Sequence, residues 1–227
     1  MNYKSIPPHI HKKPEKNKPI IFFDLDGTLI NVKDRYYEAH KDACIKAGIK
    51  TVNKNVYWKK KRGGIKESKI IKIHPNLFKK YEETRVSNLE KTEFLKLDIV
   101  IPGAPKVLNV LNKKGYEIYL LTLRRNKKNL LDQLSWLGLK QYFKKIVSVS
   151  PSNKPYEVKM RVVKKIIKNK KNPVYVIGDT EADILTGREL KASTVGVLTG
   201  IRNNDLLQSY KPDYIIKNII FLLDITL

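Results

Sequence analysis

Four aspartates sit just beyond apolar runs, at spacings that could bring them together. Residues 20–23 form an unbroken apolar stretch that ends in Asp24-Leu25-Asp26-Gly27-Thr28. Residues 174–177 end in Gly178-Asp179, with Asp183 four positions on, and residues 116–121 end in Thr122-Leu123-Arg124. A continuous apolar run that stops at polar residues suits a parallel strand covered on both faces. Open α/β sheets place their sites at the carboxyl ends of such strands. Asp24, Asp26, Asp179 and Asp183 would then share one crevice, where like charges repel unless a divalent cation lies among them. All-oxygen donors favour a hard ion, so Mg²⁺ is the expected cofactor. Such a set suits phosphoryl transfer. Asp24 would be the nucleophile and form an aspartyl-phosphate, Asp26 the acid and then the base, and Thr122 a hydrogen-bond donor to a phosphoryl oxygen. A lysine is needed to offset the remaining negative charge.

The elements that must hold these residues follow from periodicity. Further strand-like runs lie at 146–149 and 194–198, with an edge strand at 214–216. Helical spacing of apolar residues marks 105–114, 126–137, 158–168 and 182–190. This alternation predicts a parallel sheet with helices on both faces. Residues 31–101 break it, with helix-like segments at 34–47, 55–61, 76–85 and 89–96 and no strand. A structureless loop of that length inside a domain is improbable, so the insert should fold as a helical unit. The predicted fold class is α/β: a Rossmann-like three-layer parallel-sheet core, residues 19–31 and 99–227, with an all-helical cap inserted at 32–98. Residues 1–18, rich in lysine and proline and without apolar periodicity, read as a disordered basic tail. His9 and His11 within it read as exposed histidines rather than ligands.

Composition narrows the function classes. Of the 227 residues 41% are hydrophobic, enough for a sizeable core. No apolar run approaches the length of a membrane helix, and the start of the chain has no secretory pattern. The single cysteine, Cys44, excludes an internal disulfide and reads as buried in the first insert helix. A soluble, cytoplasmic protein is expected, monomeric or homodimeric. The net charge of +24 keeps nucleic acid as a candidate partner. Yet only 8 of the 46 cations are arginine, and specific phosphate readout leans on arginine forks, so most of the charge reads as solvated lysine surface.

The motif Asp24-Leu25-Asp26-Gly27-Thr28-Leu29, then Thr122, a downstream lysine, and Gly178-Asp179-Thr180-Glu181-Ala182-Asp183-Ile184 resemble, in order, the four motifs of the haloacid dehalogenase superfamily. Softer pieces at Val197-Leu198-Thr199-Gly200 and Lys211-Pro212-Asp213-Tyr214 extend the resemblance over residues 19–217. It implies a phosphoglycolate-phosphatase-like hydrolase with a helical cap of the C1 kind. Asp24 would be its nucleophile and Asp26 its acid/base. Asp24, the backbone carbonyl of Asp26 and Asp179 would hold the metal, with Asp183 in support. An aspartate at position 26 points to phosphate rather than carbon–halogen chemistry. The lysine is either Lys154, in a Lys-Pro pair, or Lys159. The Thr122-Leu123-Arg124-Arg125 stretch resembles members that favour the position of Lys159.

The cap would close over the site and select the leaving group. Tyr57, Trp58 and Arg62 are candidate substrate residues, with Arg62 able to fork onto a carboxylate or second phosphate. The alternative is that Trp58 packs inside the cap. One of Arg124 and Arg125 would face the phosphate or the cap and the other solvent, with Arg124 the candidate for substrate. Trp136 reads as core packing. The expected activity is Mg²⁺-dependent hydrolysis of a small phosphorylated metabolite. A phosphomutase or phosphotransferase, a nucleic-acid end-processing phosphatase and a simple nucleic-acid binder remain alternatives.

Overall fold

The strand β1 (Ile20–Phe23) shows how the sheet is built. Its residues alternate between two cores: Ile21 and Phe23 enter a large cluster with Val107, Leu108, Leu130 and Leu134, while Ile20 and Phe22 enter a smaller one with Tyr119, Leu121 and Val163. All four are at most 1% exposed. Burying one such side chain contributes about 1.5–3 kcal/mol, and both faces must be covered for an unbroken apolar run to be stable. Phe22 also stacks on Tyr119 at 5.1 Å.

The chain, seen in a computed structural model, is described at residues 18–71, 74–168 and 172–225. After β1 the chain forms β2 (Ile30–Asn31), which pairs with β3 (Ile99–Val100) in a separate small antiparallel ribbon. The main sheet continues with β4 (Glu117–Leu123), β5 (Lys145–Val149), β6 (Val174–Gly178), β7 (Ser193–Val197) and β8 (Tyr214–Ile216). Its order is β5-β4-β1-β6-β7-β8, and every pairing is parallel. The chain runs outward from β1 to β5, then returns to β6 on the other side of β1. That reversal opens a crevice at the carboxyl ends of β4, β1 and β6.

Helices α6 (Ala104–Lys113) and α7 (Lys127–Trp136) cover one face, while α8 (Pro155–Ile167) and α9 (Glu181–Glu189) cover the other, giving the three-layer Rossmann-like architecture. A short α10 (Asn204–Ser209) precedes β8. Trp136 departs from expectation: it is 43% exposed. It lies two residues beyond buried Leu134, hence about 200° round the helix, on the solvent face.

The insert holds α1 (Lys33–Ala47), α2 (Lys54–Arg62), α3 (Glu67–Ile71), α4 (Pro75–Asn88) and α5 (Thr92–Leu95). The ribbon was not foreseen, because two residues per strand are too few to show alternation. Ile101 N–H also donates to the Leu29 carbonyl at 2.9 Å, so the chain leaves and re-enters the sheet domain through paired backbone. Helix α3 was likewise not foreseen, and α5 is shorter than the 89–96 pattern because residues 89–91 form the turn that ends α4. Cys44 is buried, as expected. The basic segment 1–17, with His9 and His11, lies outside the described residues. Among the described residues no helix is long and apolar enough to cross a membrane.

Candidate active site

Asp24 directly follows β1, Thr122 lies in β4, and Asp179 directly follows β6. Because these strands are neighbours, their ends deliver all three residues to the same crevice, of about 110 Å³, which Lys159 also lines. Carboxylate oxygens of Asp24, Asp179 and Asp183 lie within 4.8 Å of one another. Asp179 is wholly buried, accepts the Ile201 N–H at 2.7 Å and faces the Thr28 hydroxyl at 3.5 Å. The loops are moulded to it. A Cβ on Gly27, whose φ is +81°, would come within 2.4 Å of Asp179 Oδ2, and one on Gly200 within 1.8 Å. Asp183 lies in the first turn of α9, in a capping box with Thr180. Its Oδ2 accepts the Thr180 hydroxyl at 2.6 Å and the Thr180 N–H at 3.2 Å, leaving Oδ1 for the crevice.

The two candidate lysines lie in different surroundings. Lys159 is the sole buried lysine among the described residues, and its Nζ donates to Asp24 Oδ1 and to Asp183 Oδ1, both at 2.6 Å. Lys154 is 70% exposed and pairs with Glu157 on the surface. Burial pulls the Lys159 ammonium down, but Asp183 and Asp24 outweigh it and hold its pKa above the usual range. Burial raises Asp24 to about 7, Asp183 adds to the rise, and Lys159 resists it. Asp179 is held well above the carboxylate range by burial and by the neighbouring Asp24 and Asp183 charges. Three buried carboxylates facing one ammonium are short of positive charge. A hard divalent cation fits that deficit and the all-oxygen donor set.

Asp26 stands apart from this group. Its carboxylate is not among the clustered donors, so only its backbone carbonyl, and not its side chain, remains a candidate metal ligand. The side chain is gripped by two guanidiniums. Arg124 Nη2 donates to Oδ1 at 2.6 Å, and Arg35 Nη2 lies 2.7 Å from Oδ2. Burial pushes Asp26 up, but Arg124 and Arg35 outweigh it and hold the carboxyl below its usual range. Arg35 also bonds Asp98 at 3.1 Å and the Leu89 carbonyl at 2.8 Å. Gln133 joins Asp98 at 2.7 Å to Arg124 at 3.3 Å. Arg35, Asp98 and Gln133 were missed in the sequence, since none belongs to a motif. The usable signal was the scarcity of arginine in a lysine-rich chain: Arg35, Arg85 and Arg124 are buried, and all three line one cavity beside the crevice.

The insert residues singled out earlier go elsewhere. Arg62 does not enter the carboxylate crevice; it donates to the carbonyls of Leu198 at 2.8 Å and Arg202 at 3.2 Å. Its own carbonyl accepts the Asn203 N–H at 2.9 Å, so Arg62 ties the end of α2 to the loop after β7. Trp58 packs edge-on against Tyr36, 6.4 Å away, and against the large core. Tyr57 is fully buried inside the insert, its hydroxyl donating to Glu67 at 3.1 Å. Arg125 is exposed, and its N–H donates to Glu90 at 2.7 Å.

A family model described as haloacid dehalogenase-like hydrolase matches residues 21–197. A pyrophosphatase, PpaX, of Halalkalibacterium halodurans is 27% identical over 221 residues, covering 90% of this chain and 95% of the relative. Among solved structures, a haloacid dehalogenase-like hydrolase, SP0104, of Streptococcus pneumoniae superposes with a TM-score of 0.75 at 21% identity, covering 91% of this chain and 97% of that one. A protein described as a predicted phosphoglycolate phosphatase of Haemophilus somnus gives 0.72 at 19% identity, covering 94% and 100%. At these identities the likeness of the solved structures is one of fold.

Proposed function

The chain belongs to the haloacid dehalogenase-like hydrolases, and from that premise we propose that it is a Mg²⁺-dependent phosphatase that cleaves a small phosphomonoester through an aspartyl-phosphate on Asp24. The observation that carries this reading is the placement of Asp24 at the tip of the central strand, against Lys159 and within reach of Asp179 and Asp183. The relatives named as pyrophosphatase and phosphoglycolate phosphatase support phosphorylated small molecules as the substrate class.

Asp24, Asp179 and Asp183 would hold the ion, with the Asp26 carbonyl as a further donor. Bound there, Mg²⁺ supplies charge neutralisation for the phosphoryl oxygens. Lys159 holds Asp24 Oδ1 in place, leaving its second oxygen to attack phosphorus as the leaving oxygen departs. Thr122, buried at the crevice wall, donates to a phosphoryl oxygen in this reading. In the second half-reaction Asp26, ionised between Arg35 and Arg124, takes a proton from the water that attacks the aspartyl-phosphate. For Asp26 to protonate a leaving oxygen first, the substrate must draw one of those guanidiniums away. The helical insert and the 290 Å³ cavity beneath it favour a small leaving group over a polymer.

Phosphate release from p-nitrophenyl phosphate tests the proposal. Turnover should require Mg²⁺, disappear with chelator, and fall by about a thousandfold or more in Asp24→Asn, as loss of a covalent nucleophile implies. Metal-independent turnover, or an active Asp24→Asn, contradicts it.

A further inference from the structure

The segment 198–203, between β7 and α10, touches both the helical insert and the carboxylate crevice. On the insert side its partner is Arg62, the last residue of α2. Arg62 Nη2 donates to the Leu198 carbonyl at 2.8 Å and to the Arg202 carbonyl at 3.2 Å, and the Arg62 carbonyl accepts the Asn203 N–H at 2.9 Å. On the sheet side the Ile201 N–H donates to Asp179 Oδ2 at 2.7 Å, and the Thr199 hydroxyl donates to the Gly27 carbonyl at 2.6 Å. Arg62 therefore grips the segment at both ends, and Asp179 is held from its middle.

The middle of the segment has no slack. A Cβ on Gly200 would meet Asp179 Oδ2 at 1.8 Å, and one on Gly27 would meet Gly200 Cα at 2.6 Å, so backbone and carboxylate are in direct contact. In such close packing a shift of one group moves its neighbours. Arg202 adds a fixed point, forking onto the Glu181 carboxylate in the first turn of α9 at 2.6 and 2.7 Å. The turn after α2 also presses on α10: a Cβ on Gly64, whose φ is +74°, would lie 2.9 Å from Leu206 Cδ2. Because a carboxylate is a rigid plane, fixing Asp179 Oδ2 on Ile201 also fixes where its other oxygen points. Hydrogen bonds from a charged donor are stronger than neutral ones, which makes Arg62 a stiff strut. It does not line the crevice that holds Asp24, so it reaches that site only through the segment.

We infer that Arg62 is a positioning residue for Asp179: by fixing the backbone of residues 198–203 it sets the aim of that carboxylate, so that docking of α2 and binding of Mg²⁺ strengthen each other. The inference rests on the metal reading above and deepens it. Coupling between two sites is reciprocal, so the factor by which the grip of Arg62 tightens the metal is the factor by which the metal tightens the grip. The connection is contiguous, running from the guanidinium to two carbonyls, along the backbone to Ile201, and from its N–H to Asp179.

The test is calorimetric titration of the full chain with Mg²⁺, joined to hydrogen exchange of the peptides that cover α2 and residues 198–203. Arg62→Met should weaken Mg²⁺ binding by about fivefold to tenfold, the lower range of coupling between sites. Arg62→Lys should recover part of the loss, and Lys59→Met, exposed on the same helix, should leave the affinity unchanged. In the unaltered chain Mg²⁺ should slow exchange in α2 as well as in residues 198–203, and in Arg62→Met the effect on α2 should vanish. A merely structural Arg62 would lower the melting temperature equally with and without metal and leave the Kd of the folded variant as it was. Unchanged Mg²⁺ affinity in folded Arg62→Met, or Mg²⁺ binding to the unaltered chain without protection of α2, overturns the inference. The second readout needs no variant, so it decides the matter even where Arg62→Met does not fold. Failure of the unaltered chain to bind Mg²⁺ would sink the metal reading and this inference together, whereas normal binding in Arg62→Met would sink only the strut.

Discussion

The carboxylate crevice and the cavity beside it carry opposite charge and are built in opposite ways. In the crevice Asp24, Asp179 and Asp183 outnumber Lys159, and every one of them comes from a strand end or from the first turns of the helix that packs beside it. In the cavity arginines and a lysine outnumber the acids, and half of the wall comes from the insert. Their interiors differ too. The sheet buries an apolar core and confines its charge to one lip, whereas the insert buries Glu67 at its centre with two tyrosines, Lys61 and His40 close by. The two ends of the site thus differ in sign: one is short of positive charge and the other is short of negative charge.

The comparison breaks most visibly at Lys159. Replacing it with methionine leaves Asp24 and Asp183 buried without their ammonium. Phosphate release should fall by about a hundredfold to a thousandfold, on the scale of losing one charge-stabilising donor at a reacting centre. A folded Lys159→Met with near-normal turnover would show that the crevice does not depend on its one cation.

A second prediction separates the two regions by pH. Burial raises the Asp24 carboxyl from the usual 3.8 to about 7, so ionising it opposes folding. Without metal, its contribution lowers stability as pH rises from about 4 to 7, because the native state binds the proton that the unfolded chain has released. Mg²⁺ should offset that loss. Saturating metal, at about a hundred times its Kd, contributes about 2.7 kcal/mol, or roughly 5–10 °C in Tm for a chain of this size. Thermal melts should therefore show a larger Mg²⁺ shift at pH 8 than at pH 5. The insert has the opposite sign. Burial lowers His40 to about 4 from 6.5, so its contribution is lost as pH falls through that window. Glu67 is pushed up by burial but held at about 2 by Lys61 and Arg85, so its contribution, present above 4.5, is lost as pH falls toward 2. A Mg²⁺ shift of equal size at both pH values would contradict the account of the crevice.

The smallest effect is expected at Lys154. It is exposed and paired only with Glu157, so Lys154→Ala should leave kcat/KM within about twofold. A large loss there would return the phosphate-facing role to the Lys-Pro pair.

What the sequence disclosed divides along the same line. The strands, their flanking helices and the aspartates at their ends were legible, because two-sided burial writes a continuous apolar run that stops where chemistry begins. The sequence left Lys154 and Lys159 as alternatives, with the Thr122-Leu123-Arg124-Arg125 resemblance leaning toward Lys159; Lys159 lies against Asp24 and Lys154 on the surface. The insert was less legible. Its helices showed, but its centre is polar, so no apolar pattern announced that Tyr57 would turn inward to Glu67 or that Arg85 would reach the cavity. Trp58 and Arg62, chosen for residue type alone, pack against Tyr36 and the loop after β7 instead. Asp26 lines the crevice but its side chain stands apart from the other three aspartates, and its grip by Arg35 and Arg124 depends on contacts spanning 98 residues for Arg124, which no local spacing encodes.

The most direct test of the central claim is to quench the protein in acid during turnover with Mg²⁺ and substrate, then map the phosphoryl group by peptide mass spectrometry. The account predicts one phosphoryl group on the peptide bearing Asp24, absent from Asp24→Asn and absent when metal is chelated. Steady turnover with no phosphorylated protein, or with the phosphoryl group on another residue, would contradict it.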